Sequence, residues 1–249
     1  MLTALSISWL LATRSVNILW RPQIGSVYQY KWRATSEDYP GPDGVTTLAQ
    51  EESDQDTVKE LRPDGDVLME RKVTGVKAKL GSSSVPSKVD GDVITQSLLM
   101  SSRGVLLHRT TDAKEDVENP RFDLVERLVY PDKPVSVGDS WTYKESGSPV
   151  MGTYDNETVY TFRGSERVQG ILAKKIQVEY RETSTLLSIN STGAIWVSPE
   201  DGSIVKKDLQ VSNLTVGSGA RMFNLRIRVD RVEPKVSGTP SRTSSPSRP

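Results

Sequence analysis

Apolar and polar residues alternate with a period of two along most of this chain. In 222–232, the side chains of Phe223, Leu225 and Ile227 share one face and charged side chains share the other. In 27–33, three aromatic residues alternate with polar residues in the same way. Because successive side chains of a strand point to opposite faces, this pattern predicts strands with one buried face.

Strands are predicted throughout the chain, separated by turns rich in Gly, Pro and Asp. They are expected at 27–33, 45–61 (one long strand or a pair of strands), 67–80, 93–100, 105–111, 141–144, 158–166, 171–181, 187–197, 204–216 and 222–232. Within 204–216 the apolar positions change parity after Val211. An extra residue near Ser212 or Asn213 explains this change, so the pattern predicts a β-bulge there.

One short helix is predicted across 120–130. Asn119 is a suitable N-cap, Pro120 suits the first helical position, and Pro131 ends the pattern. Apolar residues follow at helical spacing, at Phe122, Val125 and Val129. The chain is therefore predicted to be mainly antiparallel β with one helix in the middle.

The two parts of the chain on either side of this helix are similar to each other. The run 25–31 (GSVYQYK) aligns with 138–144 (GDSWTYK), and the glycine turn at 103–106 aligns with 201–205. Two interpretations remain open, a true internal duplication and a coincidence between similar hairpins. We expect a single β domain across 16–236, made of two similar halves, 25–118 and 138–232, joined by the helix.

Both ends of the chain differ from the rest in composition. Residues 2–12 (LTALSISWLLA) form an apolar run of signal-peptide length that is too short to span a bilayer. We interpret 1–15 as an export signal, with an ordinary buried segment as the alternative, and therefore expect an extracytoplasmic protein, periplasmic or secreted. Residues 237–249 are rich in Ser, Pro and Arg, which predicts a disordered tail.

The composition of the chain argues against several kinds of functional site. It contains no cysteine and a single histidine, His108, which excludes disulfides and thiolate sites and argues against a zinc site or a histidine-based triad. No phosphate-binding glycine motif is present, and the formal net charge of zero argues against nucleic-acid binding. The Asn-x-Ser/Thr sequons at Asn156, Asn190 and Asn213 are read as coincidental. We expect no enzyme activity, cofactor, metal ion or transmembrane segment.

The predicted strand 45–61 is unusually acidic. Glu52, Asp54 and Asp56 share one of its faces, where mutual repulsion is expected to raise a pKa. A glycosidase needs a pair of carboxylic acids, so this strand is the strongest candidate for catalysis. A solvated edge strand, which its charge protects from aggregation, is the interpretation that we prefer.

The run 131–141 (PDKPVSVGDSW) resembles a signature of bacterial secreted families of unknown function. The segments 164–176 and 196–206 are similar to the same families. These families are similar in architecture to LolA-like lipoprotein carriers. The resemblance implies a half-barrel, in which a strongly curved, unclosed antiparallel sheet wraps a helix or a lipid chain. This chain departs from the LolA pattern because it has only one predicted helix.

Two functions follow as hypotheses. The first is a carrier or sensor of an apolar small molecule, such as a lipid acyl chain, since each buried methylene contributes roughly 0.8 kcal/mol. The expected groove residues are Tyr28, Tyr30, Trp32, Trp141, Tyr143, Phe223, Leu225 and Ile227. The same residues would instead form a filled core if the helix acts as a plug. The second hypothesis is an envelope or surface protein that binds a protein or glycan partner through edge strands or the acidic strand.

Overall fold

The computed structural model describes residues 15–41, 44–85, 93–113, 120–148, 152–183, 188–215 and 222–232. In these ranges the chain forms one twelve-stranded antiparallel sheet and one short helix, which confirms the predicted mainly β fold. The first half contains β1 (Val27–Gly41), β2 (Gly44–Leu61), β3 (Val67–Leu80), β4 (Ser83–Val85), β5 (Ile94–Met100), β6 (Leu106–Thr111) and α1 (Pro120–Glu126). The second half contains β7 (Ser140–Glu145), β8 (Asn156–Val168), β9 (Ile171–Glu182), β10 (Asn190–Val197), β11 (Ile204–Thr215) and β12 (Met222–Val232).

The strand order is β6-β5-β3-β2-β1-β12-β11-β10-β9-β8-β7, with the short β4 paired to β3. Each half is thus a series of neighbouring antiparallel strands. The two halves meet where β1 pairs with β12, for example Trp32 opposite Val229. Because β6 and β7 lie at opposite ends of this order, the sheet is open, as predicted.

The sheet curves around the helix and the residues that follow it. Arg109 on β6 donates to Asp123 on α1 at 2.9 Å, and Arg127, just after α1, pairs with Glu145 on β7. Eleven strands side by side in a flat sheet would span roughly 48 Å. A segment as short as 120–130 reaches both ends of the order only because the sheet bends around it.

The helix is shorter than predicted, since α1 ends at Glu126 and 127–130 continues without helical structure. The peptide groups of this segment bond to other parts of the chain. The amide of Tyr130 donates to the Arg103 carbonyl at 2.9 Å, and the indole of Trp141 donates to the Val129 carbonyl at 2.7 Å. These partners replace the hydrogen bonds that would continue a helix. The predicted N-cap, Asn119, lies outside the described residues.

The interior of the C-terminal half is filled with apolar side chains. Tyr160, Ile176 and Leu209, on the inner face of this half, are fully buried. They belong to one core cluster with Val125 and Val129, from the segment that the sheet surrounds. That segment therefore acts as a plug for this half of the sheet.

The predicted β-bulge in 204–216 is confirmed. The pairing of β11 with β12 shifts between Val211 and Leu214, and Asn213 adopts a left-handed backbone conformation with φ 63°. Asparagine tolerates this conformation better than most residues. The extra residue lets Leu209, Val211 and Leu214 all face the core, where each is buried.

The preferred interpretation of the acidic strand is wrong. β2 lies between β1 and β3, so it is not an edge strand. Each of its sides is occupied by a long ladder, for example Asp54 between Tyr30 on β1 and Val73 on β3. Charge on this strand therefore does not serve to protect an unpaired sheet edge.

Several predictions concern segments that the structure leaves open. Residues 1–14 and 233–249, with most of the predicted signal and the predicted tail, lie outside the described residues. The duplication of the two halves stays a prediction, although the aligned Gly25 and Gly138 share positive φ angles of 83° and 96°. Within the described ranges, no helix is long and apolar enough to cross a membrane.

Candidate functional site

A cavity of about 610 Å³ lies inside the N-terminal half of the sheet, partly open to solvent. Its walls are mainly the inner faces of β1, β2, β3, β5 and β6, with Ile204 and Lys207 of β11 and Val229 of β12 at one side, and the segment 120–130 covers it. Its volume falls in the range of small-molecule binding sites. Whereas the C-terminal half of the interior is filled, the N-terminal half leaves room for a ligand.

Strand β1 supplies an aromatic wall formed by Tyr28, Tyr30 and Trp32. The Tyr28 hydroxyl donates to Asp201 Oδ2 at 2.8 Å, and Trp32 Nε1 donates to Glu126 Oε1 at 2.9 Å. These bonds hold the polar ends of two side chains, so their rings are fixed against the cavity.

Strand β2 places a carboxylic acid directly across the ladder from each of these aromatic residues. The register pairs are Tyr28 with Asp56, Tyr30 with Asp54, and Trp32 with Glu52. Directly opposite residues on one face have Cβ atoms roughly 5 Å apart. The aromatic wall therefore continues without interruption into an acidic one.

Strand β3 neutralises one of these acids. Arg71 donates to both oxygens of Asp56, from Nε at 2.7 Å and from a terminal nitrogen at 2.8 Å. Asp56 is buried. A bidentate pair of this kind satisfies the buried charge on both sides.

Strand β3 also contributes apolar side chains to the wall of the cavity. Gly75, with φ 62°, lies where the β2–β3 register shifts, between Thr74 opposite Ser53 and Lys77 opposite Glu51. This bulge changes the parity of β3. The inward positions are Met69, Arg71 and Val73 before it and Val76 and Ala78 after it.

Two further acids on the covering segment have cationic partners. Asp123 accepts from Arg109 at 2.9 Å, and Glu126 lies 3.3 Å from Lys207 Nζ. Glu126 also accepts the indole hydrogen bond of Trp32. Both acids therefore help to hold α1 against the sheet.

Glu52 and Asp54 form no salt bridge with any described residue, in contrast to the other acids of the cavity. The pKa of Glu52 is raised from 4.5 to about 8, mainly by burial and in smaller part by the charges of Asp54 and Glu126. The pKa of Asp54 is raised from 3.8 to about 6, again mainly by burial, which outweighs the lowering effect of Arg71. Asp54 Oδ1 is buried and has no hydrogen-bond partner among the described residues. The sequence suggested repulsion as the cause of a raised pKa, whereas burial is the larger one.

Three of the predicted groove residues, Tyr28, Tyr30 and Trp32, line the cavity. Trp141 and Tyr143 on β7 lie elsewhere. Trp141 stacks on Tyr160 at a centroid distance of 5.4 Å, and the Tyr143 ring lies 5.7 Å from the Arg127 guanidinium. These two residues hold the edge strand to the segment after α1.

The other three predicted groove residues lie on β12. Phe223, Leu225 and Ile227 are buried, with exposures of 4%, 3% and 0%. Phe223 packs edge-on against Tyr39 at a centroid distance of 5.0 Å. On this strand the alternative holds, in which the predicted groove residues form a filled core.

The sequence pattern identified Glu52, Asp54 and Asp56 as sharing one face, but that face was predicted to be exposed to solvent. Their shared face was visible from alternation, whereas their position beside the aromatic strand depends on strand order. It did not identify Arg71, Arg109 or the cavity face of α1, since no local signal says which strands a helix will cover.

In the described part of the chain, no three His, Cys, Asp or Glu side chains are grouped so that they could hold a metal ion. His108 is exposed on the edge strand β6. In comparisons with known proteins, no family model and no curated protein matches the chain.

Proposed function

We propose that this protein is a non-catalytic, extracytoplasmic carrier or receptor that binds an apolar small molecule, such as a lipid with an acyl chain. The observation that supports it is the cavity of about 610 Å³ between the curved sheet and the segment 120–130. The extracytoplasmic location rests on the apolar run in 1–15. The half-barrel architecture is the one that the resemblance to LolA-like carriers implies.

The cavity offers an apolar surface next to its aromatic wall. Aliphatic side chains from β3, β5 and β6 line it, namely Val73, Val76, Ile94, Leu98 and Leu106. Burying eight methylenes of an alkyl chain there would contribute roughly 6 kcal/mol, which corresponds to a dissociation constant on the order of 20 μM. A ligand of modest size is therefore sufficient for useful affinity.

The arrangement of the acids favours binding over glycoside hydrolysis. Glycosidases place their two carboxyl groups on either side of the scissile bond. Glu52 and Asp54 alternate on one strand and share one wall, so both would lie on the same side of a ligand. Glu126, from the covering segment, is held by Lys207 and Trp32. The acidic strand is also no partner-binding edge, because β1 and β3 flank it.

Native mass spectrometry of the purified protein, followed by organic extraction, tests whether it carries an apolar molecule. Titration with the uncharged fluorescent probe N-phenyl-1-naphthylamine measures uptake by protein that has been stripped of lipid. Ala78→Trp places a bulky indole inside the cavity, whereas Lys79→Trp places the same side chain on the outer face of β3.

We expect Ala78→Trp to abolish uptake and Lys79→Trp to retain it, with circular dichroism showing that both variants fold. A wild-type protein that is isolated empty and takes up no probe would refute the proposal. Equal uptake by the two variants would place the binding site outside this cavity.

A further inference from the structure

An apolar ligand alone does not account for the acidic part of the cavity wall. Removing a carboxylate from water without a cationic partner is unfavourable. Here two half-buried carboxyl groups without a salt bridge to any described residue share one face of β2, and Gln50 gives Glu52 a side-chain hydrogen bond. We propose that the ligand of this cavity carries an organic ammonium group, which binds against Glu52, Asp54, Tyr30 and Trp32. This inference rests on the proposed function, since it names the ligand class of the same cavity.

The pairing of charges identifies where a cation is missing. Among the lining acids, Asp56 is bound by Arg71, Asp123 by Arg109 and Glu126 by Lys207. Glu52 and Asp54 have no such partner among the described residues, and Asp54 Oδ1 is buried without a hydrogen bond. An ammonium group would supply both the charge and the donor that this position lacks.

Aromatic residues lie where a cation between these acids would meet them. Tyr30 is directly across the ladder from Asp54, and Trp32 is directly across from Glu52. The face of an aromatic ring attracts an ammonium ion, and aromatic cages for quaternary ammonium groups use this attraction. Carboxyl groups on one strand with aromatic rings directly opposite on the next favour a cation over an anion.

The apolar body of such a ligand has a defined direction. Asp54 is opposite Val73 on β3, and Val73 is opposite Ile94 on β5. Across the sheet, this row of opposed side chains therefore passes from the aromatic Tyr30 to the acid Asp54 and then to aliphatic residues. At the usual strand spacing, Asp54 and Ile94 lie roughly 10 Å apart. An ammonium group at Asp54 would leave its alkyl chain against Val73 and Ile94.

Protonation of the acids makes this binding depend on pH. The other titratable and charged groups that line the cavity with Glu52 and Asp54 are Tyr28, Tyr30, Asp56, Arg71, Arg109, Asp123, Glu126, Arg127, Tyr130 and Lys207. With the pKa of Glu52 raised to about 8, its carboxyl is mainly protonated at pH 6, and a bound cation must displace that proton. We expect the affinity for a cation of fixed charge to rise at least tenfold between pH 6 and pH 8.

Calorimetric titration with dodecyl compounds below their critical micelle concentrations tests the ligand class. The probes are dodecyltrimethylammonium, dodecylammonium, dodecanol and dodecanoate, which share one alkyl chain and differ in charge. At pH 8 we expect the two ammonium compounds to bind at least tenfold more tightly than dodecanol, and dodecanoate to bind most weakly.

A double variant, Glu52→Gln with Asp54→Asn, is expected to lose the preference for ammonium and its pH dependence while still binding dodecanol. The matched control is Glu51→Gln, because Glu51 is exposed on the outer face of β2 and pairs with Arg33.

Dodecanol binding without an advantage for the ammonium compounds would overturn this inference and leave the proposed function standing. Failure of all four compounds to bind would overturn both. Ammonium binding that is unchanged in the double variant would overturn the assignment to this wall.

Discussion

Replacing Glu52 with Gln is expected to stabilise the protein at alkaline pH and to change its stability little at acid pH. Burial raises the pKa of Glu52 from 4.5 to about 8. Between these values the folded protein holds a proton that the unfolded chain releases. Because the folded state binds more protons, its stability falls as pH rises from about 4.5 through about 8. Gln has a similar shape and stays neutral, so it avoids this loss.

The size of the effect follows from the same pKa values. At about 1.4 kcal/mol for each tenfold change, the rise from 4.5 to about 8 sets an upper limit of about 5 kcal/mol. The cavity is partly open, so water and the ions in it screen the Glu52 charge. We therefore expect Glu52→Gln to raise the free energy of unfolding at pH 9 by about 2 kcal/mol, and the melting temperature by roughly 4–8 °C.

Urea denaturation at pH 5, 7 and 9, followed by tryptophan fluorescence, measures this difference. Glu51→Gln is the matched control, since its side chain lies outside the cavity beside Arg33 and should change stability by less than about 0.5 kcal/mol at each pH. A gain for Glu52→Gln that is equal at pH 5 and pH 9, or a loss at pH 9, would contradict burial as the cause of the raised pKa.

Three further substitutions test the way in which the sheet is held together. The Glu182 side chain is fully buried and accepts two hydrogen bonds from Arg121 on α1, at 2.9 and 2.5 Å. Glu182→Gln should therefore lower the free energy of unfolding, measured by urea denaturation, by about 3 kcal/mol. A loss below about 1 kcal/mol would show that this pair does not anchor α1. Gly202 has φ 76°, and a Cβ atom there would collide with the Leu19 carbonyl oxygen. Gly202→Ala should therefore lower the free energy of unfolding by at least about 2 kcal/mol. An unchanged melting temperature would disprove the close approach of the two backbone segments. Because the His108 side chain is exposed, His108→Ala should change the free energy of unfolding by no more than about 0.5 kcal/mol. A larger loss in urea denaturation would reveal an unrecognised partner.

Local pattern predicted the strands well because alternation is a property of each strand by itself. The bounds of β3 and β12 agree with the predicted 67–80 and 222–232, and the bulge at Asn213 was visible as a change of parity. The helix was overestimated, since 127–130 has apolar residues at helical spacing but bonds to Arg103 and Trp141 instead.

The candidate site was predicted only in part. Tyr28, Tyr30 and Trp32 were identified as one inward face, and they line the cavity. Phe223 and Ile227 satisfied the same criterion and are core residues, because the segment 120–130 and its neighbours fill that half of the interior. Alternation identifies a buried face but does not reveal whether the space beside that face is filled.

The sequence by itself determined that Glu52, Asp54 and Asp56 share one face, since side-chain direction in a strand follows from the period of the backbone. Only the tertiary structure decided that this face looks into a cavity. Strand order places β2 between β1 and β3, and curvature brings α1 over it. These features arise from pairing between distant parts of the chain, which no local pattern encodes. Acids that would be ordinary on a solvated edge thereby come to lie across from aromatic rings, with Asp56 buried and Glu52 and Asp54 half-buried, and their protonation and partners change.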